Sequence, residues 1–329
     1  MRKYLVKRLL VMIPMLIGIS IVTYIIMSLA PGDAASMYLN PEITAGSPEL
    51  LDQMRKNLGL DQPVYVRYFL WLKEAVRGNF GYSYASGRPV LTEITSRIGV
   101  TVTITLLALV VSFIGGLAIG IICARNQYKA TDYILSVLSL VGISLPNFWL
   151  AMLLMMLFTN TLGWLPSVGL RDVLVTYETS WAQFVDYVKH LIMPVTALAL
   201  SQIGRWARYQ RASYLEVIHD DYIRTAKSKG MTARRITWVH AFRNSALPII
   251  TLLGSTLPSL IGGAFIIETM FSIPGLGRLG TDSAMSRDYP VIMGVTFFSA
   301  LLVMVGMFLS DILYSLVDPR IRYGQGGEA

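Results

Sequence analysis

The sequence predicts an all-α, polytopic membrane protein: six transmembrane helices, a long outer segment after the first, and a cytoplasmic loop between the fourth and fifth. Three observations carry this. Of 329 residues, 54% are hydrophobic and 15% charged, where soluble domains carry about 25% charged residues. The apolar residues gather in runs near the roughly 20 residues that a helix needs to cross a bilayer. Lysine and arginine are spread unevenly over the connections between those runs. The net charge of +8 is therefore a matter of sidedness, and no nucleic-acid partner is expected.

In chain order, spans are expected at 9–29, 101–124, 133–158, 188–208, 246–267 and 290–316. The corresponding organisation is a cytoplasmic N-terminus at 1–8, an outer segment at 30–100, a core at 101–317 and a cytoplasmic tail at 318–329. The core contains a cytoplasmic loop at about 209–245. The first span follows a basic start, "MRKYLVKRLL", as a signal peptide would. Its apolar run, Leu9 to Ala30, exceeds the 7–15 residues of a signal peptide's core, so retention is expected. The second, "TVTITLLALVVSFIGGLAIGIICA", has no charged side chain. The fourth is weak, because few uncharged residues separate His190 from Arg205; Lys189 and Arg205 must reach toward the interfaces.

Orientation follows from the cations. The N-terminus, the connection holding Arg125 and Lys129, the loop from Arg205 to Arg243, and the tail together hold 17 of the 28 Lys and Arg. The positive-inside rule makes that side cytoplasmic, with both termini there. Without the fourth span, the most basic part of the chain would face outward. Cys123, the single cysteine, allows no internal disulfide.

Outside the membrane, Ser47, Pro48 and Gly59 punctuate a short helix. "QPVYVRYFLWLKEAVRG" then reads as an amphipathic helix with Tyr65, Tyr68, Phe69, Leu72 and Val76 on its packed face, a structural lid in preference to the alternative of a ligand site. "SIPGLGRLGTDSAMSRDYP", rich in Gly and Pro, predicts a bent, compact loop.

The cytoplasmic stretch "DDYIRTAKSKGMTARRITWVHAFRNSALP" predicts two short helices and a turn. Tyr214, Ile218, Tyr222 and Ala226 recur every four residues, with Leu215 and Ile223 beside them, and form one apolar stripe. Lys227 and Lys229 complement the helix dipole, Gly230 stops the helix, and Thr232 caps the next. Physics alone leaves two uses open: an anchor for anionic lipid, or a docking element for a cytosolic partner.

This stretch resembles the signature loop of membrane subunits of ATP-binding-cassette importers, in the dipeptide/oligopeptide/nickel permease family. "KRLLVMIPMLIGISIVTYIIMSLAPGD", "LGLDQPVYVRYFLWL", "GNFGYSYASGRPV", "SLPNFWLAMLLMMLF", "GWLPSVG", "ETMFSIPGLGRLGTDSAMSRDYPV" and "VDPRIRY" resemble the family in order, pointing to the first of two paired permease subunits. Arg224-Thr225-Ala226 stands where the general importer motif has Glu-Ala-Ala, with Gly230 at its usual spacing. This departure suits the peptide branch. The resemblance implies a coupling helix held by a separate ATPase subunit, with Tyr222, Arg224, Thr225, Ala226, Lys227, Gly230 and Met231 as docking residues. It implies a second homologous permease subunit, two cytosolic ATPase subunits that bind ATP and Mg, an external binding protein, and a cytoplasmic (inner) membrane of a bacterium or archaeon. Dipeptides or oligopeptides are the expected substrates, with nickel or glutathione as alternatives.

No cofactor, metal or catalytic site is expected in the chain. It has no Gly-Lys-Ser/Thr phosphate loop, and His190, His219 and His240 lack partners at metal-ligand spacing. A carrier driven by an ion gradient would bury ionisable groups at mid-membrane, whereas Glu268 and Asp311 lie toward span ends. Polar and Pro-broken stretches nominate a translocation path: Ser144 and Asn147 beside Pro146, and Ser255, Thr256 and Ser259 around Pro258. Small and hydroxyl residues also serve plain helix packing.

Overall fold

The long apolar runs become long helices. The computed structural model describes residues 2–29, 53, 56 and 61–317; the helix expected between Ser47 and Gly59 and the tail at 318–329 fall essentially outside them. Helix α1 is Arg2–Leu29, α2 Val64–Ala75 and α3 Val90–Arg125. A bent pair follows, α4 (Ala130–Ser144) and α5, which starts at Asn147 and continues as a π-helical turn to Thr161. Then come α6 (Ser180–Val217) and α7 (Asp221–Ser228). Helix α8 covers 233–245 and includes a π-helical turn, Ile236–Ala241. The chain goes on through α9 (Leu247–Met270), α10 (Leu276–Met285) and α11 (Tyr289–Val317). No strand occurs among the described residues, only an isolated bridge of Tyr82 with Pro89.

Four helices, in α1, α3, α6 and α11, are long and apolar enough to cross a membrane, and the α4–α5 pair makes a fifth if counted as one span. Helix α9, 24 residues, is apolar too. At 1.5 Å per residue α3 and α6 reach about 54 and about 57 Å, well past the ~30 Å of hydrocarbon. The runs at 101–124 and 188–208 are thus the middles of longer rods. The α4–α5 pair bends by 109°. The cause is Pro146, which keeps Leu145 out of the helical region: Leu145 has ψ 129° and Pro146 ψ 139°. Each arm alone is too short to cross.

The chain forms two units, one of Val102–Ile273 with Val305 onward, the other of Lys3–Thr101 with Pro274–Met304. In the first, glycines set the helix spacing. Gly116 and Gly120 of α3 meet Trp206 and Gln210 of α6, and a Cβ on Gly120 would lie 2.5 Å from that of Gln210. Only hydrogen fits there, as in small-xxx-small contacts between membrane helices. Trp206 is buried and meets Phe113 edge-on at 5.9 Å.

In the second unit Asp288 ties down the loop that precedes α3. It accepts from the Ser83 hydroxyl at 2.5 Å and from the Tyr84 and Ala85 amides at 3.0 and 3.1 Å. Helix α2 packs on α1 through Tyr68, whose hydroxyl lies 2.9 Å from Ser20 Oγ and whose ring meets Tyr24 at 5.5 Å. This corrects the expected packed face. Tyr68 and Leu72 do turn inward, with Trp71, but Tyr65, Phe69 and Val76 are 66%, 65% and 80% exposed. The polar contact at Ser20 orients α2, and periodicity among so many aromatics could not foresee it.

Candidate coupling site and translocation seam

Helix α6 runs on beyond its apolar middle at 188–208 by about two and a half turns, ends at Val217 and turns through Ile218–Asp220 into α7. The stripe expected from Tyr214 to Ala226 is therefore cut. Tyr214 closes α6, while Tyr222 and Ala226 lie on a separate helix. The end of α7 matches its chemistry. Gly230 takes φ +71°, a left-handed conformation suited to glycine, and donates to the Lys227 carbonyl at 3.0 Å. The Met231 amide reaches Ala226 O at 3.3 Å. Thr232 Oγ1 accepts from the Arg235 amide at 3.4 Å and opens α8.

The two faces of α7 differ sharply. Ile223 and Ala226 are buried in a cluster with Ile121, Ala124, Tyr214, Ile236 and Ala241, with Met231 packed at its edge. The Tyr214 hydroxyl lies 3.4 Å from Thr237 Oγ1 within it. Tyr222, Arg224, Thr225, Lys227 and Gly230 are exposed on the other side. Sequence reasoning grouped Ala226 with these as a docking residue; the structure places it inward. Arg224 pairs with Asp221 at 3.5 Å, but both are exposed and the pair contributes little. Thr225 Oγ1 donates to Asp221 O at 3.0 Å, and the Asn244 amide donates to the Tyr222 hydroxyl at 2.9 Å. Partial burial pushes the Tyr222 phenol above its ordinary value, opposed by Asn244, so it stays protonated at neutral pH. The result is a short helix with a fixed inner face and a solvent-facing basic outer one.

Beside this cluster sits a pair that cation counting overlooked. Arg211 of α6 holds Asp132 of α4, which is buried and also accepts from the Tyr128 amide at 3.1 Å. The signal was an aspartate in the first turn of α4, in an otherwise basic connection. Nearby, Gln210 Nε2 donates to Ser245 Oγ at 2.8 Å, joining α6 to α8.

Deeper in the same unit lies a polar seam among α5, α6 and α9. Gln202 of α6, buried, donates through Nε2 to Ser259 Oγ of α9 at 2.9 Å. Asn147 Nδ2 and Leu198 approach Gly263 so closely that a Cβ there would lie 3.0 Å from each. So Asn147 and Ser259 come to facing helices. Thr256 is buried and bonds its own helix at Leu252 O, 3.1 Å away. Ser144 is exposed and bonds Leu140 O at 2.9 Å. The side chain of Ser255 lies outside the described residues. Gln202 escaped the sequence reading although it is an uncharged polar residue inside a span, the kind of signal that marks a path.

The site is built of apolar packing and weak polar groups. His190 Nδ1 is bonded to the Asp186 carbonyl at 2.9 Å, His219 is exposed, and no group of three metal-ligating side chains gathers among the described residues. What it offers is helices joined by packing and amide–hydroxyl bonds, with an exposed helix at one end.

Residues 116–323 match the family described as "Binding-protein-dependent transport system inner membrane component", and residues 1–105 match its N-terminal companion. The chain is 40% identical over 324 residues, 98% of its length and 100% of the relative's, to "Oligopeptide transport system permease protein AppB" of Bacillus subtilis (strain 168). It is 36% identical over 341 residues, 98% and 100% of the two chains, to "Dipeptide transport system permease protein DppB" of Alkalihalophilus pseudofirmus. Among solved structures, an inward-facing MetNI methionine ABC transporter chain overlays with a TM-score of 0.55 at 18% identity, over 68% of this chain and 95% of that one. That likeness shows a shared fold. The chain belongs to the family of binding-protein-dependent transport system inner membrane components: it is a multi-pass permease subunit of an ATP-binding-cassette importer, a family whose ATPase activity lies in separate subunits.

Proposed function

We propose that this subunit imports dipeptides or oligopeptides, forming half of a path completed by a second, homologous permease chain. Two cytosolic ATPase subunits hold ATP and Mg, and one of them docks on the outer face of α7 at Tyr222, Arg224, Thr225, Lys227 and Gly230; Ala226 and Met231 fix that face from behind. An external binding protein delivers substrate. Six spans cross the membrane, with both termini and α7 on the cytoplasmic side. The printed names of the relatives support the substrate class.

The observation that carries the docking role is the division of α7: Ile223 and Ala226 are locked into a cluster joining α3, α6 and α8, while the basic side is free for a partner. A push on α7 is then a push on three helices at once. The seam at Asn147, Gln202 and Ser259 is the proposed path wall. Weak polar groups without charge suit substrates whose side chains vary.

Proteoliposomes test the whole reading. With the partner permease, ATPase subunits and binding protein present, ATP on the cytosolic face should drive dipeptide uptake after ionophores collapse ion gradients. If this chain alone accumulates dipeptide in response to a proton or sodium gradient, the proposal fails.

A further inference from the structure

The second unit contains a cavity of about 270 Å³ that the proposed path does not use. It lies where two long helices reach their ends: Tyr24 and Met27 come from the last turns of α1, Tyr289 and Met293 from the first turns of α11. Helix α2 supplies another wall, with Arg67, Leu70 and Trp71.

The polar chemistry of this lining is donor-rich. Arg67 Nε and Trp71 Nε1 are both buried with no hydrogen-bond partner. Buried polar groups are rarely left in that condition, because the loss of hydration is uncompensated. Tyr84 adds a phenol that burial above all pushes up to about 12, so it keeps its proton. Among the described residues, no carboxylate lines the cavity. The nearby Asp288 is engaged by Ser83 and the amides of Tyr84 and Ala85. A guanidinium, an indole N–H and phenols, with no carboxylate among the described lining residues, fit an oxyanion.

The outer face of α2 says which kind. Tyr65, Phe69 and Leu70 are 66%, 65% and 52% exposed, and Leu70 also lines the cavity. Val22 and Ile26 on α1 are exposed as well. A free carboxylate or phosphate would satisfy the donors and leave this apolar face in water. A lipid satisfies both. Tyr and Trp are also the side chains that collect at the headgroup level of a bilayer. We propose that α2 lies in the membrane interface and that the cavity beneath it holds the phosphodiester of one phospholipid, with the acyl chains running along α1 and the exposed face of α2. The lipid would fasten α2 to α1, whatever the transported substrate is.

Native mass spectrometry of the full-length chain, delipidated in detergent and titrated with dioleoyl phosphatidylglycerol, reads this site. The unaltered chain should retain one phospholipid about tenfold more tightly than Arg67→Gln, the loss expected for a charge-assisted bond. Trp71→Phe keeps the ring, removes the N–H and should weaken retention about threefold. Lys73→Gln removes an exposed charge from the same helix and should change nothing. Neither dioleoylglycerol, which lacks the phosphate, nor millimolar inorganic phosphate should displace the lipid. Equal retention by Arg67→Gln overturns the proposal, and so does equal binding of dioleoylglycerol. Displacement by inorganic phosphate overturns it too, in favour of a soluble oxyanion. Should Arg67→Gln not fold, Arg67→Lys and Trp71→Phe make the same comparison, and equal retention by both is fatal.

Discussion

Arg211 grips Asp132 with two atoms at once: its Nε and Nη2 each lie 2.8 Å from a different carboxylate oxygen. The fork closes the gap between α6 and α4 on the proposed cytoplasmic side of the first unit. A lysine could supply the charge but not the second bond. Asp132 has a side chain only 4% exposed, so losing its partner strands a buried charge, whereas Arg211, at 30%, keeps some water. Asp132→Asn should lower stability by about 2 kcal/mol, below the figure for a fully buried pair. The double variant with Arg211→Met should lose less than the sum of the two single changes. Thermal unfolding of the purified chain measures both; strict additivity would mean that the pair does not couple the helices.

Gly230 governs the exit from α7. Its φ of +71° lies in open space, so alanine meets no neighbour there and only the backbone resists. Gly230→Ala should cost about 1 kcal/mol and reduce uptake in part. Gly230→Pro forbids the angle and removes the N–H that bonds Lys227 O, so uptake should be lost while insertion stays normal. Normal dipeptide uptake by the proline variant would show that the end of α7 does not matter.

Two faces of one helix should fail differently. Ala226→Trp overfills the buried cluster and should destabilise the chain by roughly 1–3 kcal/mol, visible without any partner. Arg224→Glu changes an exposed charge and should leave unfolding unchanged while weakening copurification of the ATPase subunits. If both variants lose stability equally, the division of labour on α7 is wrong.

The orientation is open to chemical labelling. In a Cys123→Ser background, a cysteine at exposed Arg88 should react with an impermeant thiol reagent applied from outside, and one at exposed Ser228 should not. The opposite pattern would invert the topology drawn from the cations.

Much of this architecture was legible because its causes are local. Leu145-Pro146 announces the break between α4 and α5, Gly230 the end of α7, and Thr232 the start of α8. The missed features depend on what a side chain meets far along the chain. Periodicity puts Ala226 on an apolar stripe with Tyr214, but that Ile121 and Ile236 join them in one cluster shows only in the fold. The packed face of α2 is decided by Ser20, 48 residues away from Tyr68. Gln202 acquires meaning from Ser259, 57 residues on. Gly116 and Gly120 could have been noticed, since their four-residue spacing is itself the mark of a close crossing.

Helix α6 carries both Gln202, at the seam, and Tyr214, in the cluster behind α7. Twelve residues of unbroken helix separate them on the same rod, about 18 Å at 1.5 Å per residue. A helix resists stretching far more than tilting, so the rod works as a lever. Tilting it by about 10° with the cluster as pivot displaces Gln202 by roughly 3 Å. That is the length of the hydrogen bond it makes to Ser259. A modest tilt about the cluster is enough to part the seam, with no side chain between the two points having to change its rotamer.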